Sequence, residues 1–495
     1  GPVTWSELRN RASKLAGAIR SIGIEPGDNV AILALNSERY LEFYFGALWA
    51  GSVIVPMNTR WSAAENAYSL NDSGTSFVFI DSAFLPMVEG IRAETNHDLK
   101  FVFVDDGDTP DGMLAYENFL ESGEPVDDAR RGGADLAGIY YTGGTTGFPK
   151  GVMLSHQALW YNGMAGAKHF DIHPGDRYLH VAPMFHLADT AGSLGATMSG
   201  GSHYFMAAFA PDAAINQIAE QEITHTLLVP TMIGMIMQHP DFDATKFEKL
   251  RYLMYGASPM PEGLLLHVME ALPNVKLIQG YGQTEMAPLV TALPPEFHVT
   301  SGPRAGKLRS AGRPVVGCEV EIRDEDGNRL DAGEVGEVYA RSPGSMMGYL
   351  NLPEQTAETL NDGWVKTGDG AYMDEDGFVF IVDRVKDMIV TGGENVFSAE
   401  VESIVSTHPA VAAVAVIGIP SKEWGEAVHA IVVTAPGVEV MEQEIIDHCK
   451  GKIANYKCPK SVTLREDPLP LSGAGKVLKR ELRAPFWEGI DRQVG

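Results

Sequence analysis

Residues Tyr140 to Gly151 read YYTGGTTGFPKG, four glycines and three threonines set around a single lysine, Lys150. A loop this poor in side chains presents backbone N–H groups, and stacked N–H groups make a concavity for anions. The loop follows the apolar run AGIYY at 137–141, the place where a doubly wound sheet holds its ligand. It is not a Walker A motif, because Lys150 precedes Gly151 and no Ser or Thr follows that glycine directly. Thr142, Gly143, Gly144, Thr145, Thr146, Gly147 and Lys150 are therefore the candidate phosphate cradle. A flexible surface loop is the competing reading until other motifs join it.

Working outward, the same texture of apolar strand and amphipathic helix fills the first 300 residues or so. Leu8, Ala12, Leu15, Ala16 and Ile19 share one helical face, a Pro26-Gly27-Asp28 turn follows, and VAILAL at 30–35 reads as a buried strand. SVIVPM at 52–57, FVFID at 77–81 and FVFV at 101–104 continue the pattern. A second set runs from the 159–166 region through ITHTLLVP at 223–230, LRYLMYG at 250–256 and VKLIQGYG at 275–282. Strands so uniformly apolar are covered on both faces, as in parallel α/β sheets. Near 305–345 short alternating strands with turn signals replace them, which marks a small β-subdomain. A compact α+β segment with its own apolar strands at 411–419 and 428–434 follows the charged cluster Asp383-Arg384-Val385-Lys386. The expected architecture is α/β: an N-terminal domain over 1–382 containing a β-subdomain from about 305 to 382, a linker at 383–386, and a smaller α+β domain over 387–495.

Composition narrows the function. With 65 acidic against 38 basic residues the net charge is −27, which argues against a nucleic-acid groove or an anionic membrane surface as the main partner. Any phosphate site must be local. The longest apolar run, AVAAVAVIGI at 410–419, falls short of the 18 or so residues a membrane span needs. Cys318, Cys449 and Cys458 form no CxxC pair and no metal-ligand spacing, so they read as structural thiols in a reducing compartment. With no signal peptide before TWSELRN and no peroxisomal tripeptide at the end, a cytoplasmic location is expected.

Three further motifs carry chemistry. GYGQTE at 280–285 brings together a flat ring on Tyr281, a hydroxyl on Thr284 and a carboxylate on Glu285. The ring can stack on adenine and the carboxylate can hold Mg²⁺, a hard cation that takes oxygen ligands; a strand-end turn with a solvated glutamate reads equally well. WVKTGDG at 364–370 puts Asp369 in a glycine turn, suited to gripping the two hydroxyls of a ribose or simply to forming the turn. DRVKDMIVTGGENV at 383–396 and the Gly-rich turn PLSGAGKVLKREL at 470–482, with Lys476, are weak signals alone.

Taken together, in this order and at this spacing, the motifs resemble those of the ANL superfamily of adenylate-forming enzymes, and within it the acyl-CoA synthetases. The resemblance covers nearly the whole chain. It implies a phosphate loop at 142–151, an adenine site at Tyr281, Gly282 and the Gly256-Ala257-Ser258 segment, and Mg²⁺ on Glu285 beside Thr284. It further implies a ribose site at Asp369 and Arg384, a hinge at Lys386, a glycine-lined thiol tunnel at Gly392-Gly393, and Lys476 as the catalytic lysine. Three positions depart from the family pattern: Gly143 stands where Ser is usual, Ala474 where Thr is common, and the chain opens at the family's first helix, so an N-terminal strand and helix are expected to be missing.

The implied reaction has two halves: ATP activates a carboxylic acid as acyl-AMP with release of pyrophosphate, and CoA then takes the acyl group. PMFHLAD at 183–189 resembles the family segment that lines the acyl channel, with His186 as the channel histidine or else a core one. Relatives that activate amino acids carry an aspartate there, whereas this chain has Phe185-His186, and Asp189 lies farther along. An uncharged tail is expected, fatty or aromatic, with Gly280 and Gly282 leaving it room. Transfer to a carrier protein instead of CoA, a luciferase-like oxygenase, and a nucleotide-binding module without turnover are the competing functions.

Overall fold

Alternate residues of the strand Asn29–Leu33 enter different cores: Val30 and Ile32 pack with Ile19, Phe43 and Tyr140, while Ala31 and Leu33 pack with Leu70, Ile80 and Ile139. Burial on both faces is why the run carries no polar alternation. The computed structural model describes residues 2–142, 149–384, 387–392, 394–435, 437–471 and 477–488. Among these, four sheets form the frame of a mixed α/β chain with a large N-terminal domain and a smaller C-terminal one.

The first sheet has eight strands in the order Gly348–Tyr349, Lys150–Ser155, Leu136–Thr142, Val53–Pro56, Asn29–Leu33, Phe77–Ile80, Lys100–Phe103, Leu114–Ala115. It is parallel from Leu136–Thr142 onward and antiparallel at the Lys150–Ser155 end. The second sheet runs parallel through Lys276–Gly282, Tyr252–Gly256, His225–Leu228, Arg177–His180 and Ser202–Phe205. Leu289–Leu293 and Arg313–Pro314 extend it antiparallel. The helices His156–His169 and Leu187–Ser199 can pack closely because Gly166 lies where a Cβ would come within 2.6 Å of the Ala191 carbonyl oxygen.

The third sheet is the antiparallel subdomain: Glu319–Arg323, Gly336–Arg341, Trp364–Met373, Leu360–Asn361 and Val379–Arg384. Its last strand runs to Arg384, inside the segment read as a linker. The C-terminal sheet is built on the long hairpin Val411–Ser421 and Gly425–Thr434, with Ser461–Arg465 parallel to the second arm. Cys318, Cys449 and Cys458 are all free and buried. No helix among the described residues is long and apolar enough to cross a membrane.

Candidate active site

Thr142, Gly256 and Gly282 sit at the carboxyl ends of strands in the two large sheets, the end at which α/β sheets hold their ligands. Thr142 ends the strand Leu136–Thr142 and pairs with Lys150, the first residue of the antiparallel strand Lys150–Ser155. Gly143, Gly144, Thr145, Thr146 and Gly147 lie outside the described residues. Gly256 and Gly282 end the neighbouring strands Tyr252–Gly256 and Lys276–Gly282. Ala257 and Ser258 follow in a half-buried bend, with Ala257 at φ +64° in the left-handed region.

Glycine at these strand ends serves backbone packing. A Cβ on Gly256 would lie 2.2 Å from the Gly280 carbonyl oxygen, and one on Gly282 would lie 1.8 Å from the Pro288 carbonyl oxygen. The expectation that Gly282 leaves room for the acid is corrected here: the space is already taken by main chain. At Gly280 a Cβ would meet only the Leu289 Cδ1 at 3.2 Å.

Asp369 and Tyr281 meet across the two sheets. The Tyr281 hydroxyl donates to Asp369 Oδ2 at 2.7 Å, a contact between residues 88 positions apart. The turn under Asp369 is braced twice: its own N–H donates to Thr367 Oγ1 at 3.1 Å, and the Gly368 N–H donates to Glu337 Oε1 at 2.8 Å. Burial holds the Glu337 carboxyl above the usual range, with the Lys366 ammonium opposing that shift from 3.5 Å. Sequence reasoning missed Glu337. Its only signal was a carboxylate on the inner part of an alternating strand, Gly336–Arg341.

Thr284 and Glu285 open a short 3-10 turn, Thr284–Met286. Glu285 is half-buried; its Oε1 accepts from the Tyr349 hydroxyl at 2.8 Å, and its main-chain carbonyl accepts from the Met346 N–H at 2.8 Å. The Lys150 ammonium stands 4.8 Å from the centroid of the same Tyr349 ring. Tyr349 carried no signal in the sequence beyond an aromatic between Gly348 and Leu350. Among the described residues no group of three or more His, Cys, Asp or Glu side chains could hold a metal by itself. Glu285 with the Thr284 hydroxyl nevertheless fits Mg²⁺ chemistry, since this ion is commonly bound through one or two carboxylates plus substrate phosphates.

His186 precedes the helix Leu187–Ser199 and lies half-buried, its ring 4.3 Å from that of Phe185. Asp189 is buried and its Oδ2 lies 2.8 Å from His180 Nδ1, whose Nε2 in turn lies 2.8 Å from His203 Nδ1. That carboxylate is thus engaged by His180 and by the Ser193 hydroxyl, which donates to the same Oδ2 at 3.0 Å. The backbone of Arg384 pairs with Asp369, and nothing is described of its side chain. Gly392, at φ +60°, donates its N–H to the Trp424 carbonyl, and a Cβ there would meet the indole at 3.0 Å. Lys386, Gly393 and Lys476 lie outside the described residues.

The chain matches the family model AMP-binding enzyme over residues 2–350 and the AMP-binding enzyme C-terminal domain over residues 400–476. The chain belongs to the AMP-binding enzymes. Within that family it is an AMP-forming acid–thiol ligase of the acyl-CoA synthetase branch of the ANL superfamily. It is similar to a feruloyl-CoA synthase of Amycolatopsis, 37% identical with 98% of this chain and 94% of the relative covered. It is also similar to the fatty acid–[acyl-carrier-protein] ligase ScoC of Streptomyces coeruleorubidus, 36% identical with 99% and 93% covered. Among solved structures, ATP-bound MatB from Rhodopseudomonas palustris superposes with a TM-score of 0.88 at 29% identity, with 98% and 94% covered.

Proposed function

We propose that this enzyme activates a carboxylic acid with an uncharged tail, fatty or aryl, as its acyl-adenylate and passes the acyl group to CoA. The observation that carries the nucleotide half is the Tyr281–Asp369 bond beside the Glu285–Tyr349–Lys150 cluster. A carboxylate is a poor electrophile, and a thiolate cannot expel oxide from it, so a leaving group must be installed first. The acid attacks the α-phosphorus of ATP and pyrophosphate departs. The barrier is the approach of one anion to another, which positioned cations and dipoles lower.

In this reading Asp369 grips the ribose with Arg384. Tyr281, Gly282 and the Gly256-Ala257-Ser258 bend flank the adenine. Thr142 through Gly147 with Lys150 wrap the departing phosphates. Glu285, with Thr284, orients Mg²⁺, which when bound neutralises phosphate charge. Lys476 bridges the carboxylate and the α-phosphate. In the second half the thiol of CoA enters beside Gly392 and Gly393 after the C-terminal domain turns about Lys386, attacks the acyl carbonyl, and AMP leaves. His186 lines the acyl channel. Buried thiols at Cys318, Cys449 and Cys458 suit a cytoplasmic setting.

A second acceptor, a carrier-protein thiol, has one support, the likeness to a relative named for that partner. Pyrophosphate release screened across alkyl, aryl and amino acids tests the acid class. Mass spectrometry of the product formed with free CoA tests the acceptor: acyl-CoA is expected, and accumulation of acyl-AMP alone with full adenylation would shift the assignment to carrier-protein loading. Lys476→Ala should abolish pyrophosphate release yet still convert supplied acyl-adenylate plus CoA, and Gly393→Leu should do the reverse. Parallel loss of both half-reactions in folded variants would end the domain-alternation reading.

A further inference from the structure

Tyr349 touches both charged groups of the triphosphate site. Its hydroxyl donates to Glu285 Oε1 at 2.8 Å, and its ring face lies 4.8 Å from the Lys150 ammonium. The side chain is 6% exposed, and burial with the adjacent Glu285 charge pushes its phenol far above the ordinary range, so it is a donor at every working pH. The ring supports the lysine charge without consuming any of its three N–H donors.

The backbone around Tyr349 is tied on both sides. Met346 donates its N–H to the Glu285 carbonyl, Met347 to Met153 and Leu350 to Gly151, so the segment 346–350 stitches the Glu285 turn to the strand that carries Lys150. Tyr349 itself donates its N–H to Thr356 Oγ1 at 2.8 Å. Gly348 sits at φ +139°, where a Cβ would meet Thr356 Cγ2 at 2.8 Å. Beyond it, Asn351 Nδ2 reaches Asp72 Oδ1 at 3.0 Å, and the Asp72 Oδ2 accepts from the Tyr141 hydroxyl, one residue before the loop begins. The tyrosine is therefore held by hydrogen bonds on both sides of its position in the chain.

We propose that Tyr349 is a positioning residue that sets Glu285 for the cation and Lys150 for the phosphates as one unit, so that cation and triphosphate bind cooperatively. This rests on the reading of Glu285 as the cation carboxylate and Lys150 as the phosphate lysine. A carboxylate on a short turn has rotamers that face away from the crevice; one strong O–H donor selects among them, and the same ring keeps the lysine on its side.

The test uses the full-length protein and α,β-methylene ATP, which cannot be cleaved at the reacting bond. Its affinity is measured by calorimetry without and with saturating Mg²⁺, and the ratio is the cation's contribution. Tyr349→Phe removes only the hydroxyl and should lower that ratio by about tenfold, the size of one hydrogen bond to a charged group, leaving the cation-free affinity within about twofold. Tyr349→Leu, which also removes the ring, should weaken cation-free binding as well, by about fivefold, the size of one cation–π contact. Glu285→Gln separates the two layers. If it loses the cation's contribution while Tyr349→Phe keeps it, the role of Tyr349 is overturned and the reading of Glu285 stands; if both variants keep it, both fall. Should Tyr349→Leu fail to fold by circular dichroism, the single-oxygen change in Tyr349→Phe decides alone.

Discussion

Replacing Asp369 by alanine should raise the KM for ATP by about 30- to 150-fold while moving that for the acid by less than about threefold. The carboxylate accepts from the Tyr281 hydroxyl at 2.7 Å, and its turn is pinned by Glu337 and Thr367. A ribose presents two hydroxyls to such a clamp. Hydrogen bonds to a charged group contribute about 1.5–3 kcal/mol net of the water they replace, and two sharing one carboxylate do not add in full, so a loss of about 2–3 kcal/mol is expected. Tyr281→Phe keeps the ring for adenine and removes one donor to the carboxylate, about 1.5 kcal/mol or roughly tenfold. Because the hydroxyl's acceptor is gone in Asp369→Ala, adding Tyr281→Phe to it should cost almost nothing further. The assay is the initial rate of pyrophosphate release, with ATP varied at saturating acid and then the reverse. Equal rises in both Michaelis constants, or a double variant whose losses simply add, would refute the ribose clamp.

Gly282→Ala should destabilise the fold by about 1–3 kcal/mol through overpacking, since its Cβ would fall 1.8 Å from the Pro288 carbonyl oxygen; thermal unfolding reads this, and an unchanged Tm with altered acid preference would return Gly282 to the acyl pocket. His298 is pushed down to about 4 by burial, and its Nδ1–H donates to the Pro294 carbonyl while Nε2 accepts from Tyr255. A depressed cation pKa favours the neutral ring in the fold, so its contribution is whole above about pH 6.5 and is lost as pH falls toward 4, by about 3 kcal/mol at most. His298→Gln should therefore lower Tm somewhat at pH 7.5 but flatten its decline between pH 6.5 and 4; an undiminished decline would place the acid sensitivity elsewhere.

Strand and helix positions were legible because periodicity reports local geometry: continuous apolar runs such as VAILAL mark strands buried on both faces, and the structure sends alternate side chains of Asn29–Leu33 into two cores. The chemistry on offer was legible too, since a glycine- and threonine-rich loop with one lysine offers little except backbone N–H groups and a cation. What no local pattern carries is which distant residue closes on which. Tyr349 meets Glu285 from 64 positions away, and Tyr281 meets Asp369 from 88. Each of those residues has an ordinary local reading, a buried aromatic on a strand or an aspartate in a turn. Gly282 shows the same divide: the sequence shows an absent side chain, and only the approach of the Pro288 main chain decides that the gap is filled by protein and not by substrate. Identity and spacing along the chain set the available chemistry, while the closing of two sheets and a subdomain strand on one crevice selects which groups share it, because hydrogen bonds depend on distances in space that sequence separation does not determine.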